Sequence, residues 1–521
     1  RVRFLDHDNA KELFHAREKT NILHGFTDFK QIEMILDPTV FKKLIDFIIR
    51  WFSSIMYGDW GDPIPLQDEG GSFSVVHAAV LKTGKVIMIE RACGVARSKT
   101  PLWNPTINNI DLPLPVLPEN NLYCSGHCFL SNGKLLVIGG GGESYQYPKD
   151  RCFTFDPDNE IWESTTDLTD AMRPVTKLQE QRWYPTVLNL GEEPGRILIA
   201  SGDISNFPLC NILNPEVNPP MKIEIYSENT GKFEYLYTNQ DRYFRPTYPG
   251  LHPLPGGEVF FAPVGFATSG ESSFACAGNQ GSALLHITGS TTGTWTAHGG
   301  KNDRTKGMSV LLMNDTPPFV QVLTVGGGDN STNNTFQLID LSTLNGPWDA
   351  KISLPSDPVT GEIVPRVHPN LVLLPDGTVF MAGGADAAAA CWIFDPNDYS
   401  WSKMDKLTYQ RRYHSFAILL PTGEIMASGG EGTFGADTVE IFKPPYFFKG
   451  TRPVIESITP DPIHHGQNFT ITTANPSEIK KVTLVRPMAV THQTDTEQRV
   501  IKLCYYLEAE NKIIATAPNG R

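Results

Sequence analysis

Apolar residues along this chain come mostly in pairs of short runs. Each pair is joined by a polar turn carrying glycine, and the second run ends in small residues. SVVHAAVLKTGKVIMI begins at Ser74, GHCFLSNGKLLVIGGGG at Gly126 and RWYPTVLNLGEEPGRILIASGD at Arg182. TYPGLHPLPGGEVFFAPVG begins at Thr247, MSVLLMNDTPPFVQVLTVGGG at Met308, VHPNLVLLPDGTVFMAGG at Val367 and RRYHSFAILLPTGEIMASGG at Arg411. Runs of this length, rich in β-branched residues and bounded by Gly, Pro, Asn and Asp, predict strands joined as hairpins. Several copies continue into a second hairpin that ends in an aromatic residue, as in CFTFDPDNEIW to Trp162 and CWIFDPNDYSW to Trp401. The start of the chain has a different period. Phe41, Leu44, Ile45, Ile48, Phe52 and Ile55 recur every three or four residues, which predicts a helix with one apolar face.

The hairpin pattern occurs seven times at intervals of about 40–65 residues. One four-stranded unit of that size cannot bury both of its faces, whereas units packed around an axis can. The glycine pairs and the distal tryptophans resemble the kelch repeat. The chain is therefore expected to be all-β. A helical N-terminal segment (1–57) precedes a seven-bladed kelch-type β-propeller (58–447), and residues 448–521 form an immunoglobulin-like β-sandwich. The last region, entered through PPYFFKGTRP, is shorter than the about 100 residues such a sandwich uses and reads as truncated. The chain opens on Arg1, so the N-terminus also reads as incomplete.

Composition narrows the function. With 44 Lys+Arg against 57 Asp+Glu the formal charge is −13, which disfavours nucleic acid as a partner. Gly 45 and Pro 40 fit a turn-rich β protein. No apolar run is long enough to span a membrane. Eight cysteines, with no CxxC pair, exclude a dense disulfide framework but leave one or two bridges open, Cys124–Cys128 among them. Four glycosylation sequons, at Asn314, Asn330, Asn333 and Asn468, agree with secretion. The glycine clusters at 139–142 and 326–328 precede no predicted helix, so they read as turns rather than phosphate cradles.

In such a propeller the first strand of each unit lines the central channel, and functional side chains gather at its leading end. His77, His127, Tyr184, Tyr248 or His252, His368 and the pair Tyr413–His414 stand there. Neighbours on a regular strand face opposite ways, so Tyr413 and His414 can share one site only if the strand start is irregular. By the same alternation Trp183 is expected to point away from Tyr184. Cys124 and Tyr184 hold corresponding places in consecutive units, which makes their contact reasonable. Taken alone, these residues also fit a non-catalytic propeller that binds glycans or proteins. A hydrolytic metal site is disfavoured because no carboxylate cluster accompanies them.

Five segments in order resemble the copper radical oxidases, the family of galactose oxidase and glyoxal oxidase. They are YCSGH (123–127), RWYPT (182–186), RRYHS (411–415), VEIFKPPYFFKGTRP (439–453) and VRPMAVTHQTDTEQR (485–499). The resemblance implies one copper ion held by Tyr184, Tyr413, His414 and His492. It implies a thioether between Cys124 and the ring of Tyr184, forming a cross-linked radical cofactor. Tyr413 would be the general base and the Tyr184 radical the hydrogen acceptor. His77, His127 and His368 would surround the ligands. His492 lies outside the repeats, so a hairpin or loop must insert it into the channel.

The implied reaction is oxidation of small aldehydes (as hydrates) or primary alcohols by O2, giving hydrogen peroxide. TYPGLHPLPGGEVF looks closer to the glyoxal oxidase branch, and a galactose oxidase-like carbohydrate alcohol oxidase is the alternative. Ile204 stands where galactose oxidase stacks a tryptophan on its cross-linked tyrosine. The sugar-binding arginine falls near Phe244–Arg245. A secreted monomer is expected.

Overall fold

The computed structural model describes residues 38–519 apart from connecting segments, the longest being 112–120, 165–176, 203–221 and 266–280. Ile204, Phe244–Arg245, Asn330, Asn333 and the expected helix over 1–37 lie outside the described residues. Two compact units divide at Met56/Tyr57. The first contains most of a helix over Pro38–Tyr57, which covers the apolar period read from the sequence. No helix among the described residues is long and apolar enough to cross a membrane.

The second unit is almost entirely β. Among the described residues its strands form seven four-stranded antiparallel meanders in chain order. Their first strands are Val75–Val80, Ser125–Phe129, Thr186–Asn189, Gly250–Pro253, Met308–Met313, Asn370–Leu373 and Ser415–Leu419. Each falls in the first apolar run of a sequence copy. The outermost strand of the seventh meander is supplied from the other end of the unit, where Asp59–Trp60 pairs antiparallel with Thr438–Lys443. Residues 457–516 contribute a further four-stranded sheet, ordered Ser457–Thr459, Asn468–Thr472, Lys512–Thr516 and Tyr505–Ala509. Next to it in sequence, Thr483–Arg486 pairs with Arg499–Lys502.

Two devices brace the meanders, one within a meander and one between neighbours. The first is a buried arginine two residues upstream of Tyr184, Lys306, His368 and Tyr413. Arg182, Arg304, Arg366 and Arg411 are all 0–1% exposed. Each donates to a carbonyl at the end of its meander's second strand: Ser201, Gly326, Gly383 and Gly429 respectively. Arg182 and Arg411 also pair with the buried carboxylates Glu224 and Glu440 at 2.7 Å. A guanidinium is suited to this position because its five donors form a rigid planar fork. The second device is close backbone approach between meanders. The carbonyls of Arg182, Arg366 and Arg411 accept from Gly140, Gly327 and Gly384 of the preceding meander at 3.0, 2.7 and 2.8 Å. Gly326, at φ +63°, shows why glycine is needed there, since a Cβ would lie 2.2 Å from the Arg366 carbonyl. The glycine clusters therefore serve as turns, as expected.

Candidate metal centre

The irregular strand starts required by the sequence are present, and they recur. Cys124, Tyr184, Tyr248, His368 and His414 have φ of +63°, +63°, +47°, +62° and +65°, each just ahead of a first strand. Left-handed backbone is uncommon for residues with a side chain and costs about 1–3 kcal/mol where it persists. Here it breaks the alternation of the strand, so that consecutive side chains turn to the same side. The conformation is locked by backbone bonds across the meanders. Tyr184 N–H donates to the Cys124 carbonyl and Tyr248 N–H to the Tyr184 carbonyl, both at 2.9 Å. Cys124 N–H donates in turn to His77 Nε2 at 3.2 Å.

His492 arrives on a hairpin. Ala489–Thr491 pairs antiparallel with Val75–Val80, placing Thr491 opposite His77, and turns back through Thr494–Asp495. The side chains beyond the turn cap backbone groups of other first strands. Gln493 Nε2 donates to the Ser415 carbonyl at 2.7 Å, and Thr496 Oγ1 to the Val187 carbonyl at 2.7 Å. Glu497 accepts from Phe129 N–H at 3.1 Å, and Gln498 accepts from Leu373 N–H at 2.9 Å. First strands leave an unpaired edge, and buried backbone groups need partners. The polar string QTDTEQ after His492 supplies them, a role its motif does not reveal in sequence. It also holds His492 fully buried.

The predicted residues converge. Tyr184 Oη and Tyr413 Oη are 2.6 Å apart. Cys124 Sγ is 3.6 Å from His492 Nε2, and ligand atoms of Cys124, His414 and His492 all lie within 4.8 Å of one another. The His492 ring centroid is 4.9 Å from that of Tyr184 and 4.8 Å from that of His414. His492 Nδ1 bonds Thr491 Oγ1 at 2.7 Å, which leaves Nε2 facing the cluster. Tyr413 and His414, adjacent in sequence, stack at 3.7 Å. Cys124, Cys128, Cys152, Cys391 and Cys504 are free thiols, so the Cys124–Cys128 bridge does not form.

One sequence reading changes, and two more tyrosines take defined places in the site. Trp183 does not alternate away from Tyr184: their ring centroids are 4.5 Å apart at 65°. The left-handed Tyr184 is the physical reason. Tyr248 adds a second edge-on ring to Tyr184 at 4.9 Å and is fixed by its own bond to the Ser125 carbonyl at 2.7 Å. Tyr123, not singled out in the sequence, stands beside His414 with its hydroxyl 2.9 Å from Nε2. Its signal was positional, because it precedes Cys124 as Trp183 precedes Tyr184.

Electrostatically the site favours neutral ligands. Burial, reinforced by neighbouring imidazoles, holds His492 and His77 well below the ordinary histidine range. Burial lowers His127 to about 4 and His368 to about 3. Burial first, then Cys124 and Tyr413 beside it, pushes the Tyr184 phenol well above its ordinary value. Neutral imidazole is the form that binds a cation. Two imidazoles with two phenol oxygens suit Cu(II) better than Mg2+ or Ca2+, which prefer carboxylate and water oxygen.

Asp495 gives a pH prediction. It is buried behind the hairpin turn, where its Oδ1 accepts from the N–H groups of Glu497 and Gln498 at 2.7 and 2.9 Å. Burial raises its carboxyl from 3.8 to about 7. Between those values the folded chain keeps a proton that the unfolded chain has lost. Stability from this group is therefore full below pH about 4 and declines as pH rises through about 7, by up to about 4 kcal/mol. Urea unfolding across that window should show the decline, and Asp495→Asn should flatten it.

The chain is similar to known proteins over much of its length. The family described as "Galactose oxidase-like, Early set domain" matches residues 452–521. The chain is 25% identical over 434 residues to a galactose oxidase of Gibberella zeae, covering 78% of this chain and 57% of that protein. It is 24% identical over 525 residues to the aldehyde oxidase GLOX of Vitis pseudoreticulata, covering 89% and 92%. The chain thus spans little more than half of the galactose oxidase and nearly all of the aldehyde oxidase. Among solved structures it is similar in fold to a fungal alcohol oxidase of the AA5 family in complex with copper. That match has a TM-score of 0.68 at 19% identity and covers 89% of this chain and 93% of the other.

Proposed function

Because the chain belongs to the copper radical oxidase family, we propose that it oxidises small aldehydes or primary alcohols with O2. The balanced reactions are RCH2OH + O2 → RCHO + H2O2 and, for a hydrated aldehyde, RCH(OH)2 + O2 → RCOOH + H2O2. The observation that carries this reading is the convergence of Cys124, Tyr184, Tyr413, His414 and His492 on one buried spot. Carboxylates are absent from that set, which does not suit a hydrolytic metal.

Tyr184, Tyr413, His414 and His492 are the residues to hold copper, and Cys124 is the partner for a thioether on the Tyr184 ring. Copper, when bound, supplies one-electron exchange with the tyrosine and with dioxygen. Substrate oxidation removes two electrons, so a second redox group is needed, and Tyr184 is that group. A sulfur substituent there would donate electron density and make the ring easier to oxidise. Tyr413, whose oxygen is 2.6 Å from that of Tyr184, takes the substrate hydroxyl proton as general base. Tyr184, once oxidised, would take the hydrogen atom from the adjacent carbon. Trp183 and Tyr248 pack against the Tyr184 ring and shield it from water, the task assigned by resemblance to the position of Ile204.

The same reading extends to architecture. The seven meanders, closed by Asp59–Trp60 on the seventh, would be the blades of a kelch-type propeller over 58–447. Residues 448–521 would form an immunoglobulin-like module that delivers His492. Secretion and a monomeric state belong to this proposal. Oxidation of carbohydrate alcohols is the less favoured branch, since the aldehyde oxidase relative is the one matched over nearly its full length.

A peroxide-coupled screen of aldehydes, alcohols and galactosides tests the proposal on protein pre-treated with copper and an oxidant. Peroxide from small aldehydes or simple alcohols is expected. Silence toward every class by protein carrying stoichiometric copper would overturn it.

A further inference from the structure

The left-handed residues ahead of the first strands are linked through their backbones from one meander to the next. Tyr248 N–H donates to the Tyr184 carbonyl and Tyr184 N–H to the Cys124 carbonyl, both at 2.9 Å, and His368 N–H donates to the Lys306 carbonyl at 2.7 Å. Lys306 is left-handed too, at φ +63°. Each bond joins one left-handed residue to its counterpart in the meander before it. Cys124 stands where this pattern meets the first meander. The opening strand there, Val75–Val80, contains no left-handed residue and shifts register between Val75 and His77. A side chain takes the place of the carbonyl: His77 Nε2 accepts the Cys124 N–H at 3.2 Å.

The setting of His77 suits that task. Its ring is buried and packs near those of His127 and His492, with centroids 5.3 and 5.6 Å away. Burial holds it neutral, and a neutral imidazole with its proton on Nδ1 offers Nε2 as an acceptor. The residue also lies opposite Thr491 where the His492 hairpin pairs with the first meander. One residue thus joins the element that delivers His492 to the backbone that aims Cys124. A left-handed cysteine is unfavourable without such support. Its sulfur must nevertheless meet the Tyr184 ring, within the one buried cluster they share, for a thioether to form.

We propose that His77 is a positioning residue for the cross-link: by accepting the Cys124 N–H it holds the thiol toward the Tyr184 ring and sets the rate of thioether formation. The inference rests on the oxidase reading and adds a residue to the maturation of its cofactor. The step balances as R–SH + Ar–H + O2 → R–S–Ar + H2O2. The S–H bond of Cys124 and one ring C–H bond of Tyr184 break, a carbon–sulfur bond forms, and two electrons with two protons pass to dioxygen. His77 exchanges none of them. Its contribution is one hydrogen bond to a buried donor, and losing that bond slows the step about tenfold, equivalent to about 1.4 kcal/mol.

The test follows the cross-link itself and needs no turnover. Full-length metal-free protein is given stoichiometric Cu(II) and then air, sampled over time, and mapped by mass for the joined Cys124 and Tyr184 peptides. Copper is measured in each sample, so that rates are compared at equal loading. His77→Phe keeps a ring but cannot accept a hydrogen bond, and its cross-link should form at least about tenfold more slowly than in the parent. Formation at the parent rate would overturn the proposal. His77→Gln places an acceptor oxygen equally far along the side chain, and it should cross-link within about threefold of the parent. If it is instead as slow as His77→Phe, the bond is not what matters and the proposal fails. Hydrogen exchange on the metal-free parent depends on no variant: the Cys124 amide should be protected as strongly as that of Tyr184, and exchange at the rate of an exposed amide would refute the proposal. A parent protein that binds copper and never forms the cross-link contradicts the oxidase reading instead, which separates the two failures.

Discussion

Tyr184→Phe is expected to abolish peroxide production, lowering kcat by at least about a thousandfold, while the protein still folds and retains much of its copper. The size of the effect follows from electron count. Oxidation of an alcohol or aldehyde hydrate removes two electrons and copper exchanges one, and in the proposed function Tyr184 holds the second equivalent. Removing a group that acts only in the chemical step lowers kcat rather than raising KM. Folding should survive because the Tyr184 ring stays packed against Trp183 and Tyr248, contacts that phenylalanine can reproduce. Only the hydroxyl at 2.6 Å from Tyr413 disappears. Steady-state peroxide assays and copper analysis of the purified variant check both halves.

His492→Ala should weaken copper binding at least about a hundredfold. Loss of a group that merely orients a metal ligand costs about 10–100-fold, and loss of a ligand exceeds that. The change should leave the metal-free fold close to intact, because the hairpin is held by other residues: Ala489–Thr491 pairs with Val75–Val80, and Gln493, Thr496, Glu497 and Gln498 bind the other first strands. Equilibrium titration with Cu(II), alongside thermal unfolding without metal, separates ligation from folding. Removing the hairpin 489–498 instead should damage both, since Phe129 and Leu373 N–H groups and the Val187 and Ser415 carbonyls would lose their partners.

Much of the fold is legible in the sequence because glycine turns and apolar pairs are local signals. The seven hairpins read from apolar runs and glycine turns are the first two strands of the seven meanders. The five site residues are legible through motif resemblance, and the structure gathers them at one place. The left-handed backbone at Cys124, Tyr184 and His414 is not legible, because period-two alternation assumes a regular strand. That assumption sent Trp183 away from Tyr184 and passed over Tyr123. The buried arginines were hidden for a different reason: Arg182, Arg304, Arg366 and Arg411 sit in different immediate contexts, and their shared role depends on carbonyls that sequence does not bring together. The hairpin residues following His492 read as a motif, but their partners lie in four different meanders.

The thioether is the most direct test of the site. Full-length protein is exposed to copper and oxygen, digested under reducing, alkylating conditions, and mapped by mass. A single species is expected that joins the Cys124 and Tyr184 peptides and is lighter than their sum by two hydrogens, with no alkylated Cys124 remaining. Copper-loaded, oxidised protein that instead yields Cys124 fully alkylated and Tyr184 in an unmodified linear peptide would contradict the oxidase assignment.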